Sequence, residues 1–291
     1  MSASQPDSKP RRFPLQLDQV SAGKSVGART APPVGRELLR PQAHFQQAEQ
    51  DRLRQTIPQG VGLDSVHMRR RMVDRLMGDG IDHPYVLDAF AKVPRHLFVD
   101  TALVNQAYED TSLPIGLDQT ISKPSVVAAM MQLLCVRPGL LLVGSLQVNR
   151  PLGTCLEIGT GCGYQAALLG YLARRVVSIE RLRDLHDKAR GNLATLRQHL
   201  PESPVVQLVY GDGMIGHAPS APYDTIIAAA GGATLPQAWI DQLAPGGRLV
   251  APMEDGRGGQ VLTILDRLAD GSLQHNRAGA VRFVPLKSGT T

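Results

Sequence analysis

A loop of three glycines is the part of this sequence whose residue types and spacing point most directly to chemistry. Gly159, Gly161 and Gly163 follow an apolar run, and Glu157 stands two positions before the first of them. A glycine loop between a strand and a helix brings backbone N–H groups close to a ligand. A second apolar run ends at Glu180, whose carboxylate can accept hydrogen bonds from two ribose hydroxyls. The pattern predicts half of a nucleotide-binding α/β unit.

The spacing of the glycines favours one kind of ligand. A dinucleotide loop has the form G-x-G-x-x-G, and its third glycine would fall where this chain has Tyr164. The E-x-G-x-G-x-G form found here resembles the S-adenosylmethionine loop of class I methyltransferases. A glycine-rich turn can also be only a tight turn, but the carboxylate of Glu180 at the end of the next predicted strand favours cofactor binding.

Alternating strands and helices must position these residues. Alternation of this kind implies an α/β fold with a doubly wound, mainly parallel sheet that is covered on both faces. The predicted strands are Thr154–Ile158, Arg175–Ile179, Val205–Tyr210, Tyr223–Ala229 and Gly247–Pro252, and the clearest helices between them are Tyr164–Ala173 and Asp184–Leu200. Two later strands, Val261–Arg267 and Ala280–Pro285, are expected to pair antiparallel at the sheet edge.

An N-terminal helical subregion is predicted ahead of this sheet. Met68, Met72, Val73 and Leu76 form an apolar stripe with helical spacing. Further helices are expected over His83–Lys92 and from about Ser125 to Leu134.

The ends of the predicted strands should converge on one site, because ligands of such sheets lie beyond the carboxyl ends of the strands. Gly159, Glu180, Asp212 and residues 230–232 all follow strand ends. Asp212 is placed to accept a hydrogen bond from the adenine amine, and Gly213 to donate one from its backbone. A plain Asp-Gly turn is the alternative interpretation of that pair.

Composition separates the first 60 residues from the rest. They hold seven of the 21 prolines and no sustained apolar period, so residues 1–60 are predicted to be a disordered basic extension. They also hold 9 of the 31 Lys and Arg but only 5 of the 26 Asp and Glu, although the whole chain has a net charge of +5. The remaining residues are therefore nearly neutral, and no nucleic-acid partner is expected.

The three cysteines and the apolar runs place limits on the environment of the chain. Cys135, Cys155 and Cys162 have neither metal-ligand spacing nor an even disulfide framework, which favours reduced thiols in a cytoplasmic enzyme without a metal site. No apolar run is long enough to span a bilayer, so no membrane association is expected. The expected state is a monomer.

Several segments together resemble the protein-L-isoaspartate (D-aspartate) O-methyltransferase family, over about residues 66–286. The segments upstream of the glycine loop are the most specific. The matching segments are Gly80-Ile81, Val93-Pro94-Arg95-His96-Leu97-Phe98-Val99, Ala107–Asp110, Thr120-Ile121-Ser122 with Pro124, Leu156–Gln165, Ser178–Arg181, Gly211-Asp212-Gly213, Gln242–Pro252 and Val281–Leu286.

The resemblance implies a function and a set of site residues. It implies methylation of the free α-carboxylate of isoaspartyl residues in proteins and peptides, with S-adenosyl-L-methionine as the methyl donor. It implies a methyltransferase domain over residues 61–291, with a substrate-side segment at 61–136 and a cofactor-binding core at 154–291. Ser122 becomes the candidate catalytic residue. The implied cofactor-binding residues are Thr120, Ile121, Glu157, Gly159, Gly161, Gly163, Glu180, Asp212 and Gly213.

Ser122 also has a purely structural alternative. A serine just before Pro124 can cap the following helix through its hydroxyl. By position alone the cap is favoured; the resemblance favours a hydroxyl that orients the reacting carboxylate, and both roles can coexist.

The chain departs from the family pattern at a few positions. Lys123 and Cys162 stand where bacterial members often carry Gln and Ser, and residues 137–153 form a longer link into the glycine-loop strand.

Two other functions remain open: an S-adenosylmethionine-dependent enzyme acting on RNA or a small molecule, and a non-catalytic cofactor-binding protein. The near-neutral folded region disfavours an RNA substrate. The presence of Ser122 together with Glu180 and Asp212 disfavours the non-catalytic protein.

Overall fold

The structure is a computed structural model, and it describes residues 66–141 and 149–291. The predicted disordered extension, residues 1–60, lies outside the described residues, as do positions 142–148 of the longer link. The expectations for these segments remain predictions.

Helices dominate the first described stretch, as the apolar spacing predicts. Helix α1 (Val66–Gly78) buries Met72 and Leu76, while Met68 and Val73 pack at the edge of the core. The other elements of this subregion are helix α2 (Pro84–Lys92), 3-10 helices at Arg95–Phe98 and Thr101–Gln106, a hairpin of β1 (Leu113–Gly116) and β2 (Gln119–Ile121), helix α3 (Pro124–Cys135) and the short helix α4 (Pro138–Leu141).

A seven-stranded sheet forms the second part, in the order β5-β4-β3-β6-β7-β8-β9. Neighbouring strands from β5 to β7 pair in parallel, whereas β8 and β9 are antiparallel. This confirms the predicted mainly parallel sheet. The strands are β3 (Thr154–Ile158), β4 (Arg175–Glu180), β5 (Gln207–Tyr210), β6 (Tyr223–Ala228), β7 (Leu243–Glu254), β8 (Gln260–Arg267) and β9 (Leu273–Val281), and the helices are α5 (Tyr164–Leu172), α6 (Arg183–His199) and α7 (Gln237–Gln242).

Apolar clusters lie on both faces of the sheet. Cys155 of β3 joins one cluster, while its neighbour Leu156 joins the other, because successive side chains of a strand point to opposite faces. Helix α5 is buried along most of its length and lies against α2. Its first residue, Tyr164, makes edge contacts with Phe90 and Phe98, so the helical subregion is packed directly onto the helix that follows the glycine loop.

The last predicted strand is wrong in position. The structure has β9 at Leu273–Val281 rather than at Ala280–Pro285. Almost every side chain of β9 is exposed, so its sequence lacks the alternation of apolar and polar residues that marks a half-buried strand. The apolar residues after it, near Val284, belong to an extended segment that contacts Gly231 instead of forming a strand of its own.

In the described residues, no helix is both long enough and apolar enough to cross a bilayer. The same residues contain no cluster of three or more potential metal ligands.

Candidate active site

A cavity of about 610 Å³ opens at the carboxyl ends of β3, β4 and β6. It brings together the hairpin β1–β2, the glycine loop, the start of α6 and the segment after β9. Seven of the ten predicted site residues line it: Thr120, Ile121, Ser122, Gly159, Gly161, Glu180 and Gly213. Glu157, Gly163 and Asp212 do not.

The three glycines of the loop have left-handed backbone conformations but different tasks. Gly159, Gly161 and Gly163 have φ angles of +87°, +56° and +90°, which side chains rarely adopt. Gly161 faces the cavity, where an added Cβ would lie 3.1 Å from Cδ1 of Ile115. An added Cβ on Gly163 would instead lie 3.3 Å from the Cβ of Ala189 in α6. The third glycine therefore serves helix packing rather than the cavity wall.

Glu180 ends β4 with its carboxylate held by the backbone. Oε2 accepts a hydrogen bond from the N–H of Gly161 at 2.9 Å, and Oε1 accepts one from the N–H of Leu182 at 3.0 Å. Each carboxylate oxygen has a second lone pair. The carboxylate is thus oriented at the cavity wall with capacity for two further donors, which is the arrangement that ribose hydroxyls require.

Glu157 lies behind the glycine loop. Its side chain is fully buried and accepts a hydrogen bond from the Ser178 hydroxyl, which is itself hydrogen-bonded to the Thr160 hydroxyl. Burial raises the pKa of the Glu157 carboxyl to about 8, although hydrogen bonds from Ser178 and Gln165 act in the opposite direction. Glu157 therefore faces the cavity only through its neighbours, of which Thr160 and Gln165 line the wall.

Asp212 also has local partners. Its Oδ1 accepts from the N–H of Met214 at 2.8 Å and its Oδ2 from the N–H of Gly289 at 2.7 Å. The carboxylate thus caps a short 3-10 helix and anchors a later segment, while the adjacent Gly213 reaches the cavity. A Cβ on Gly213 would lie 2.6 Å from Cγ2 of Ile158, so the close approach of the two strand ends requires glycine here.

Ser122 does not cap helix α3. The N-cap residue is Lys123, and no side-chain cap is formed at that position. The first turn is bound from a distance by Asp110, whose Oδ1 accepts from the Ser125 N–H at 2.9 Å and whose Oδ2 accepts from the Ser125 hydroxyl at 2.8 Å. The cap interpretation is therefore wrong, and the half-buried Ser122 lines the cavity instead.

Two residues that could suggest other chemistry have structural environments. Cys162 is buried, and burial raises the pKa of its thiol. A buried protonated thiol is a poor nucleophile. His96 is also buried, with Nδ1 2.7 Å from the hydroxyl of Tyr108.

Sequence reasoning missed a strap, residues 284–291, that lines the cavity through Val284–Lys287 and Thr291. Its backbone hydrogen bonds run to Gly231, Arg181 and Arg183. The only sequence signal for it was the family-like Val281–Leu286, a resemblance that does not give the segment's location in the fold. The tip of the hairpin, Leu117 and Asp118, was missed as well; both residues have positive φ angles, of 52° and 56°.

The residues present fit an adenosine-containing cofactor. The cavity volume lies within the usual range for small-molecule sites. The wall provides a glycine cradle at Gly161 and Gly213 and an oriented carboxylate at Glu180 with lone pairs left for a ligand. A parallel sheet with this loop after one strand and a carboxylate at the end of the next defines a class I S-adenosylmethionine-dependent methyltransferase.

Comparison with known proteins gives the family. The chain belongs to the protein-L-isoaspartate(D-aspartate) O-methyltransferase family, whose model matches residues 67–291. It is 60% identical over 280 residues to a protein-L-isoaspartate O-methyltransferase of Methylibium petroleiphilum, with 96% of both chains covered. It is 53% identical over 300 residues to the enzyme of the same name from Leptothrix cholodnii, with 100% of this chain and 98% of that one covered.

Solved structures agree on the fold. One protein-L-isoaspartate O-methyltransferase aligns with a TM-score of 0.61 and 27% identity, covering 76% of this chain and 66% of the other. A second, from Plasmodium falciparum in complex with S-adenosyl-L-homocysteine, aligns with a TM-score of 0.60 and 23% identity, covering 75% of this chain and 98% of the other.

Proposed function

We propose that this chain is a protein repair enzyme that transfers a methyl group from S-adenosylmethionine to the free α-carboxylate of L-isoaspartyl and D-aspartyl residues in damaged proteins. Family membership over residues 67–291 supports this reaction. One structural observation carries the proposal: Ser122 and the glycine loop, which are far apart in sequence, line the same cavity. A methyl donor and a carboxylate held by these two parts would meet there.

The reaction requires little from the protein besides placement of the methyl donor and the carboxylate. When bound, S-adenosylmethionine supplies a methyl group that its own sulfonium activates. A substrate carboxylate is already ionised at neutral pH, so the chain need not provide a general base. Burial raises the pKa of the Cys162 thiol, which makes it a poor nucleophile. Catalysis therefore comes from orienting the two reactants and excluding water between them.

Each predicted site residue has a task in this proposal. The Ser122 hydroxyl orients the reacting carboxylate, and Thr120 and Ile121 continue the same wall of the cavity. Glu180 accepts hydrogen bonds from the ribose, and the backbone of Gly159 and Gly161 allows close approach. Gly213 lies against the adenine. Glu157, Gly163 and Asp212 support this wall from behind, through Ser178, Ala189 and Gly289 respectively.

The proposal includes the cell compartment and the state of the enzyme. We place it in the cytoplasm as a monomer that acts on proteins and peptides and not on nucleic acids. The near-neutral charge of the residues after position 60 supports the last point. All three cysteines are free and buried, which is compatible with a reducing compartment.

A pair of peptides tests the reaction. Methyl transfer from labelled S-adenosylmethionine is measured on an isoaspartyl peptide and on its normal aspartyl twin, with Ser122→Ala as the impaired control. The expected result is label in the isoaspartyl peptide alone, as a base-labile ester. Equal labelling of both peptides, or labelling of neither, would overturn the proposed substrate.

A further inference from the structure

Arg95 lies in the most specific family-like segment, yet the mechanism above gives it no task. Its side chain is completely buried. Burying a charged group is costly unless an opposite charge accompanies it. Within residues 66–141 and 149–291, no carboxylate forms a salt bridge with its guanidinium, and Asp110 acts on it only at longer range. Its placement therefore needs an explanation other than an ion pair.

The contacts of Arg95 identify what it holds. Its Nη2 donates to the carbonyl oxygen of Ser122 at 2.8 Å and lies 3.4 Å from the carbonyl oxygen of Thr111. Thr111 precedes strand β1, and Ser122 follows strand β2. One nitrogen thus bridges the two ends of the hairpin whose strands and tip line the cavity.

The other face of the guanidinium reaches the cofactor side. Its carbon lies 4.9 Å from the ring centroid of Tyr164, close enough for a cation–π contact. Tyr164 is the first residue of α5 and lines the cavity directly after the glycine loop. Arg95 is therefore a shared contact of the loop that ends in Ser122 and the helix that begins at the glycine loop.

A role in stability alone explains these contacts poorly. A buried charge without an ion-pair partner lowers stability, so an apolar side chain of similar size would avoid a cost that Arg95 carries. An arginine is specifically suited to this place because its planar fork can donate to more than one carbonyl and lie on an aromatic ring at the same time. Both properties fix geometry.

We infer that Arg95 is a positioning residue, which clasps the two ends of the β1–β2 hairpin and so holds the Ser122 hydroxyl at the cavity. This inference rests on the proposed role of Ser122. Arg95 itself does not line the cavity, so it acts through the hairpin and not by contact with substrate or cofactor.

Two substitutions of Arg95 and one control test the inference. Arg95→Met removes the donors at similar length, and Arg95→Lys keeps a charge and one donor group. Arg267→Met is the matched control, because Nη1 of Arg267 is also shared between two backbone carbonyls, those of Ile240 and Leu243, away from the cavity. We expect Arg95→Met to lower kcat about 10- to 50-fold with the cofactor Kd within about threefold, since the hairpin that carries Ser122 loosens while Glu180 and the glycine loop keep their positions. Arg95→Lys should restore part of kcat, and Arg267→Met should leave it unchanged.

Amide hydrogen exchange supplies a measurement that does not depend on activity. In the protein without ligand, Arg95→Met should speed amide exchange in residues 113–123 by about tenfold, while Arg267→Met should not. Only the first substitution removes the Nη2 contacts to the carbonyls of Thr111 and Ser122. Unchanged exchange there overturns the inference. If Arg95→Met does not fold, Arg95→Lys is expected to show a smaller change of the same kind.

A double-mutant cycle separates positioning from general damage. If Arg95 acts through Ser122, adding Arg95→Met to Ser122→Ala should slow the enzyme by less than about twofold more. A full additional loss of 10- to 50-fold overturns the inference. Failure of the wild-type chain to methylate isoaspartyl peptides would instead refute the proposed function, and the exchange measurement would still test the clasp.

Discussion

At the level of single residues, two side chains of the cavity wall have different proposed tasks: Ser122 offers a hydroxyl and Glu180 an oriented carboxylate. Ser122 stands free of the helix cap, because Asp110 binds the first turn of α3 in its place. Glu180 is fixed by two backbone N–H groups and keeps lone pairs for a ligand. The two side chains should therefore affect different steps, turnover and cofactor binding.

Ser122→Ala is expected to lower kcat by roughly 5- to 150-fold, the equivalent of about 1–3 kcal/mol for one oriented hydrogen bond. The cofactor Kd should stay within a few-fold and the melting temperature should not change. Ser125→Ala is the matched control: its hydroxyl binds Asp110, so it should lose about 1 kcal/mol of stability and keep its kcat. Steady-state kinetics and thermal melts on both variants distinguish a role in turnover from a role in stability. An equally active Ser122→Ala enzyme would remove Ser122 from the active site.

Glu180→Ala should weaken S-adenosylmethionine binding by roughly 1.5–3 kcal/mol, because a charged acceptor loses its ribose hydrogen bonds. Calorimetry measures the change directly. Glu202→Ala, at an exposed position after α6, is the control and should bind normally. NAD binding by the wild-type chain without S-adenosylmethionine binding would contradict the assignment of the glycine loop.

Glu157 should make the stability of the protein depend on pH. Its pKa is raised by burial from 4.5 to about 8 in the folded chain. Between these values the folded chain keeps a proton that the unfolded chain has lost, so the free energy of unfolding falls as pH rises, by up to about 1.4 kcal/mol per pH unit. Glu157→Gln cannot ionise and should flatten this decline. Urea unfolding at pH 5.5 and pH 8 compares the two proteins; equal slopes with pH would show that Glu157 is not the responsible group.

At the level of elements, the strap contributes Val284–Lys287 and Thr291 to the cavity wall. The backbone of Thr291 is hydrogen-bonded to Arg181 and Arg183, next to Glu180 at the cavity wall. Removing residues 287–291 should therefore weaken cofactor binding by about 3- to 30-fold, the loss expected for one or two hydrogen bonds. Calorimetry on the shortened chain measures this, with Arg277→Ala on the exposed strand β9 as control. Unchanged affinity would mean that the strap only covers the surface.

Most of the parallel sheet could be predicted because its strands are buried. Strand β3 has the predicted limits, and β4 and β6 each differ by a single residue. Strand β9 could not be predicted, since an exposed edge strand has no apolar periodicity to mark it.

The candidate site was likewise predictable in part. Residues at strand ends were predictable because the carboxyl ends of parallel strands share one edge of the sheet. The strap and the hairpin tip depend on contacts between distant segments, which local spacing does not encode. The supporting positions of Glu157, Gly163 and Asp212 depend on side-chain direction in the folded chain, as with the bond from Gly289 to Asp212.

At the level of the whole molecule, the sheet and its helical subregion are built from elements within residues 66–141 and 149–291. The sequence of that segment offers no apolar periodicity from which to build a core. Deleting residues 1–60 is therefore expected to leave the melting temperature within a few degrees and methyl transfer unchanged. Thermal melts and the peptide assay on the shortened chain measure both. A large fall in either would show that the segment is integral to the fold.

The position of Thr291 has a practical consequence for anyone who produces this protein. Its backbone is hydrogen-bonded to Arg181 and Arg183, and it forms part of the cavity wall. A purification tag or fluorescent fusion attached after it would begin at the cavity wall. Labels for affinity or activity measurements belong instead on a surface loop far from the cavity, such as the turn at Gly271 between β8 and β9.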